Sequence, residues 1–410
     1  MKPYGKRDSN YSDIKIAYFA GTMRPGHDGV TRVLYRLIDG LKERGIKNIF
    51  FSPIIPLEDD QPTPMFEVPS VTFPLYKDYR VSVPGFKHFE KELSEFKPDI
   101  IHINSPCSLG CAAIKYGQKN NIPVVATYHT HFTSYAKYYK IKVLECFGWG
   151  YLKNLYNRCD RVYVPSKPIM NELFEHGLNK IEFLPHGVDT NMFNPKFKSD
   201  DWKNELGLGN KITLLFAGRL VWEKDLLTLA KVYKVLTSKH HNAAFVLAGD
   251  GPIRKELEVM MPDAVFLGNL SGDKLSTAYA SSDIFIFPST TETFGNVVLE
   301  AMASGLPPVC VREGGSYGMI DDGINGLIAE PHNPEDLAEK VETLLINPEL
   351  RKKLALSAFK FSQTQSWEEI IDKLIRNYIE IIKNHNTISL HKNILNSDRF
   401  NNRYSNRIGL

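Results

Sequence analysis

The sequence predicts an α/β protein of two doubly wound halves, each built on a mostly parallel sheet, facing one another across a cleft. Three observations predict it. Short apolar runs alternate with amphipathic helical stretches, the pattern of parallel strands joined by right-handed crossovers. The alternation pauses once, over Pro185–Gly209 (PHGVDTNMFNPKFKSDDWKNELGLG), and then begins again. Glycines and charged residues collect just past the strands, at the edge where such sheets bind ligands.

In chain order, residues 1–13 read as a loose polar leader and Ile14 to Ala20 (IKIAYFA) as the first strand. A glycine-bearing loop then enters a helix whose Val30, Val33, Leu34, Leu37 and Leu41 recur at i, i+3, i+4, i+7. Gly45 ends that helix. The loop glycines Gly21, Gly26 and Gly29 lack G-x-G-x-x-G spacing, so no dinucleotide fingerprint is indicated. Further first-half strands are expected at 49–52, 71–73, 100–103, 124–127, 161–165 and 181–184. The run 124–127 feeds TYHTHF, a loop, and then a long aromatic and basic helix. Second-half strands are expected at 212–217, 244–248, 265–267, 283–287 and 309–311, with helices beginning near Asp225, Ile253, Asp273 and Asn296. WEEIIDKLIRNYIEII gives a last helix. The expected division is 1–195, 196–365, a closing helix over 366–384, and a loosely ordered tail, polar and Asn-rich, over 385–410.

Composition narrows the function classes. The 410 residues are 43% hydrophobic and 24% charged, enough for substantial cores, and the net charge of +3 gives no argument for nucleic acid. Five cysteines, an odd number, do not describe a disulfide framework. No run approaches 18 apolar residues, and the polar start MKPYGKRDSNYSD has no apolar region of a signal peptide. A cytoplasmic protein is expected, with the inner membrane face as one place it can work.

Four stretches of the second half each follow a strand. In AGRLVWEKDLLTL, Arg219 and Lys224 suit a diphosphate, the first as a bidentate fork and the second as a point charge; an ion pair with Glu223 or Asp225 is the alternative. AGDGP holds Gly249 in a turn where backbone can meet a nucleobase edge. In PSTTETFGNVVLEAMASG, Glu292 and Glu300 frame a strand–loop–helix unit whose free N–H groups suit an anion. Glu300 can accept both hydroxyl protons of a ribose, or it is a solvated helix position with Glu292 an acid favoured by the helix dipole. Gly314 and Gly315 mark a sharp turn or close approach. In the first half, His129 and His131 of TYHTHF lie past a buried strand, where a histidine can contact a sugar hydroxyl or a phosphate; no third ligand at metal spacing accompanies them.

Taken together, HDGVTRVLYRL, YHTHF, NRCDRVYVPS, HGVDTNMFNP, GRLVWEKDLLTL, AGDGP, FPSTTETFGNVVLEAMASGLPPV and DGINGLIAEP resemble glycosyltransferase family 4, the retaining transferases of the GT-B fold. The resemblance covers roughly residues 14–365, with the last helix matching one that crosses back under the first domain. It implies a nucleotide diphosphate sugar as donor, UDP-linked, with no metal. It places Glu300 on the ribose, Glu292 near the donor sugar, and Arg219 with Lys224 on the diphosphate. The N–H groups of Phe294, Gly295 and Asn296 complete that cradle, and Gly249 joins the donor side. His129 matches the active-site histidine and Gly29 the loop near the leaving phosphate, with Tyr128 and His131 on the acceptor side. The chain departs at Pro308 and in SYGMI after Gly315. YHTHF, the aromatic and basic helix, and YNRCDRVYVPS resemble the diacylglycerol glycosyltransferase branch, which implies a lipid acceptor at an anionic membrane surface. Other readings stay open: a soluble or polysaccharide acceptor, a nucleotide-sugar 2-epimerase, and a nucleotide-sugar binding protein without catalysis.

Overall fold

The computed structural model describes residues 14–26, 29–73, 76–83, 89–129 and 142–405. Its first half is a seven-stranded parallel sheet in the order β3-β2-β1-β6-β7-β8-β9. The strands are β1 (Lys15–Phe19), β2 (Lys47–Ser52), β3 (Met65–Glu67), β6 (Ile100–Ile103), β7 (Val124–Thr127), β8 (Arg161–Val164) and β9 (Ile181–Phe183). The second half is a six-stranded parallel sheet in the order β12-β11-β10-β13-β14-β15. Its strands are β10 (Ile212–Ala217), β11 (Ala243–Ala248), β12 (Val265–Gly268), β13 (Ile284–Phe287), β14 (Pro308–Val311) and β15 (Leu327–Ala329). Strands buried on both faces need continuous apolar runs, which is what β10 (ITLLFA) and β13 (IFIF) supply.

The strand order matters for the site. In each sheet the winding reverses once, between β1 and β6 in the first and between β10 and β13 in the second. Loops leaving neighbouring strands at such a point diverge to opposite faces and leave a crevice at the carboxyl edge. The loops after β1, β6, β10 and β13 therefore flank that crevice, with those after β7 and β11 beside them.

Three departures from the sequence reading have local causes. The 71–73 run is not in the main sheet: β4 (Ser70–Phe73) pairs antiparallel with β5 (Tyr76–Ser82), and Val71 is 60% exposed. The short edge strands β3 and β15 carry too few residues to show a period. The closing helix runs Trp367–Ser405, well past the expected start of a loose tail at 385. No glycine or proline stands between those ends, so nothing interrupts propagation.

The closing helix belongs to the first half's core. Ile16 and Tyr18 of β1 face it, with Ile371, Leu374, Ile375, Tyr378 and Ile381 packed against them, while Ala17 and Phe19 face a separate cluster. Tyr378 meets the Tyr18 hydroxyl at 3.1 Å and His102 Nδ1 at 2.5 Å, and His102 Nε2 meets Thr127 Oγ1 at 2.7 Å. Gly40 lets the Gly29–Glu43 helix close onto Ile371. The chain crosses between halves twice, side by side: Val188 N donates to Gln365 O at 3.0 Å, and Gly187 sits where a Cβ would meet Trp367 at 2.7 Å. Among the described residues no helix is long and apolar enough to cross a membrane.

Candidate active site

On the second half, the loops after β10 and β11 are layered backbone on backbone. Gly218 N donates to Ala248 O at 2.9 Å and Leu220 N to Asp250 O at 2.9 Å. Gly249 has φ +137°, and a Cβ there would overlap the Gly218 carbonyl oxygen. Any other residue at 249 is strained twice over, by dihedral and by contact. Arg219 is exposed on this layered loop, beside the crevice.

Across the switch point, Lys224 from the β10 loop forms an ion pair with Glu292 from the β13 loop, each side chain about one-fifth exposed. Glu292 also accepts from Ser289 Oγ at 3.3 Å, and the Lys224 ammonium lies 5.6 Å over the Phe287 ring. The sequence offered Glu223 or Asp225 as partners for this lysine. Asp225 instead meets His332 Nδ1 at 2.9 Å, and the lysine spans the crevice.

Glu300 lies one turn inside the Asn296–Ala303 helix and is 7% exposed, so it is not a solvated helix position. Its Oε2 accepts from the Tyr279 hydroxyl at 3.0 Å and its Oε1 from Arg32 Nη1 at 3.2 Å. Arg32 comes from the first half, so this carboxylate joins the two halves. Phe294 is buried and Gly295 takes φ +87° to start the helix, where a Cβ would meet Ser316 Cβ at 2.8 Å. The SYGM stretch, where the chain departs from the family pattern, forms a 3-10 turn over Ser316–Met319. Gly318 in it lies where a Cβ would meet Pro168 Cδ at 2.6 Å, so this loop touches the first half.

On the first half, His129 follows β7 and is 8% exposed. Its Nε2–H donates to Asn104 Oδ1 at 3.0 Å, from the loop after β6. An amide oxygen only accepts, which assigns the proton to Nε2 and leaves Nδ1 as a lone pair; Nδ1 is buried without a partner. Thr293 Oγ1 donates to the His129 carbonyl at 2.7 Å, tying the two site loops together. Burial pushes the His129 ring well below the usual histidine range, reinforced by neighbouring His186 and His102. It is therefore a neutral acceptor at physiological pH.

Tyr128, expected on the acceptor side, is buried in this structure. Adjacent residues leaving a strand point to opposite faces, so with His129 in the crevice Tyr128 turns into the core, fully buried and edge-on to Tyr156 at 5.8 Å. His131 lies outside the described residues. Gly29 opens the Gly29–Glu43 helix and faces Asn296, 3.4 Å from a built Cβ to Nδ2. Sequence reasoning gave no role to Arg32, Asn104, Thr293 or His186. His186 stood in plain view in HGVDTNMFNP, but its ring neighbours Phe294 at 4.8 Å and His129 at 5.8 Å come from distant parts of the chain. Among the described residues no group of three or more His, Cys, Asp or Glu could hold a metal ion.

Buried histidines set an acid limit on stability. Burial lowers His102 to about 3 and His186 to about 4, against 6.5 when exposed. The unfolded chain therefore binds protons first as pH falls through 6.5, and folding stability falls with it. Between pH 7.5 and 5.5 each of the two should cost on the order of 1 kcal/mol. Denaturant titrations should show the protein less stable at pH 5.5 than at pH 7.5 by a few kcal/mol, and His186→Asn should remove on the order of 1 kcal/mol of that loss.

Comparison with known proteins reaches both halves. Residues 27–192 match the glycosyltransferase family 4 domain, and residues 198–361 the glycosyl transferases group 1 domain. A GDP-mannose-dependent alpha-mannosyltransferase of Corynebacterium glutamicum is 31% identical over 378 residues, covering 90% of this chain and 89% of that protein. The chain belongs to glycosyltransferase family 4. A sulfoquinovosyl transferase of Arabidopsis thaliana is also similar to this glycosyltransferase, 36% identical over 73% of the chain and 60% of that protein. Alpha-monoglucosyldiacylglycerol synthase of Streptococcus pneumoniae is 27% identical over 83% of the chain and 80% of that protein. The GT-B fold is seen in Anabaena HepE solved with UDP and glucose, TM-score 0.71 at 18% identity, covering 90% of this chain and 99% of that one.

Proposed function

We propose that this glycosyltransferase moves a hexose from a nucleoside diphosphate sugar, UDP-linked, to the hydroxyl of a membrane lipid such as diacylglycerol, with retention at the anomeric carbon. One observation carries the transfer reading. The Thr293–His129 hydrogen bond brings a neutral, hydroxyl-accepting imidazole against the loop that carries Glu292 and opens the Asn296–Ala303 helix. Lys224, Arg219 and the N–H groups at that helix start then offer positive charge to a leaving diphosphate, while Glu300 takes the ribose hydroxyls. The lipid acceptor is favoured by the sulfoquinovosyl and monoglucosyldiacylglycerol relatives, and by the basic and aromatic stretch 132–161.

A second reading has its own support: relatives over about nine-tenths of the chain use GDP-mannose. One assay separates the readings. The enzyme is incubated with UDP-[14C]glucose or GDP-[14C]mannose and anionic vesicles containing diacylglycerol, and label is counted in the organic phase. Label from the uridine donor is the expected result. Label from the guanosine donor alone replaces the base and the sugar. Label that stays aqueous with either donor, whatever lipid is present, overturns the lipid acceptor.

A further inference from the structure

We propose that the side-chain amide of Asn296 donates to the donor's diphosphate, and that His186 fixes which end of that amide faces the cleft. This rests on the donor-site reading above. Asn296 is the first residue of the Asn296–Ala303 helix and Gly29 the first of the Gly29–Glu43 helix, one from each half. The two positions adjoin, with Asn296 Nδ2 3.4 Å from where a Gly29 Cβ would stand. Two positive helix ends therefore converge on one spot, and the amide nitrogen lies at it.

The other end of the amide decides its orientation. Asn296 Oδ1 lies 2.8 Å from His186 Nδ1. The oxygen can only accept, so Nδ1 carries the proton and Nδ2, with two N–H groups, is left toward Gly29. His186 cannot easily swing away: it is 7% exposed, 4.8 Å from the Phe294 ring and 6.2 Å from Trp367. Burial holds it down to about 4, so it is neutral with a single N–H. That N–H is committed to Asn296, and Nε2 is left buried without a partner. An apolar side chain would fill the same space with no unpaired nitrogen, so packing alone gives no reason for a histidine. Orienting the amide does.

Calorimetric titration with UDP, UMP, GDP and GMP tests this. Asn296→Asp replaces the two N–H groups by a carboxylate of the same shape, and an acid suits a helix start, so the variant should fold. The gain in affinity from monophosphate to diphosphate should shrink at least tenfold. His186→Asp offers Asn296 an acceptor, turns the amide round, and should give the same loss. His186→Asn keeps an N–H where Nδ1 stands and should stay within about threefold of wild type. Wild-type diphosphate affinity in Asn296→Asp, or equal behaviour of the two His186 variants, overturns the inference while leaving the donor site standing. If the unaltered protein prefers neither diphosphate to its monophosphate, the donor-site reading itself falls, and this one with it.

Discussion

Glu300→Gln should weaken nucleoside diphosphate binding about 10- to 150-fold, the equivalent of about 1.5–3 kcal/mol for hydrogen bonds to a charged group. The carboxylate has four lone-pair directions, of which Tyr279 and Arg32 each use one. The remaining two match the two hydroxyls of a ribose, and every partner of the group is then a donor. Glutamine breaks that rule, because its NH2 must face either the Tyr279 hydroxyl, the Arg32 guanidinium or a ribose hydroxyl. Isothermal titration with the nucleoside diphosphate and its 2′-deoxy analogue reads the effect. Removing the 2′-hydroxyl should cost wild type at least fivefold and the variant almost nothing, since the two changes delete the same contact. Equal affinity in wild type and variant, or an undiminished deoxy penalty, removes Glu300 from the ribose.

Much of this fold was legible because buried parallel strands must be continuously apolar. The runs at 100–103, 124–127 and 212–217 coincide with β6, β7 and β10. What failed was short, antiparallel or lacking an interrupting residue: β3, the β4–β5 pair and the extension of the closing helix to Ser405. Within the candidate site, the strand–loop–helix unit that Glu292 and Glu300 frame was legible from spacing. Residues that depend on the meeting of the two halves were not. Arg32 is one of several cations on an amphipathic helix until Glu300 is seen 3.2 Å away. Asn104 and His186 are ordinary polar residues until their partners His129 and Asn296 are in place. The burial of Tyr128 has a related reason. This residue adjoins His129 in sequence, but the two-residue alternation at a strand end sends neighbours to opposite faces.

His129→Ala should lower turnover about 10²- to 10⁴-fold, the range for a positioned proton-accepting side chain, while leaving nucleoside diphosphate affinity within about twofold. The split follows from placement. His129 lies on the first half, and its bond to the loop that carries Glu292 is made by its backbone carbonyl, which alanine keeps. What is lost is Nδ1, left as a lone pair because Nε2–H donates to Asn104 Oδ1. Since burial holds the ring well below 6.5, wild-type kcat should show no acid limb near that value. Falling pH would have to protonate a desolvated imidazole before activity was lost, so any acid limb from this ring should lie well below the usual histidine range. A limb near 6.5 that vanishes in His129→Ala would mean that the ring titrates as an exposed one does. Turnover within threefold of wild type would remove the histidine from the chemistry altogether. Loss of both turnover and nucleotide affinity would mean that the imidazole acts by holding the two halves together, and that the Thr293 contact does not survive without it.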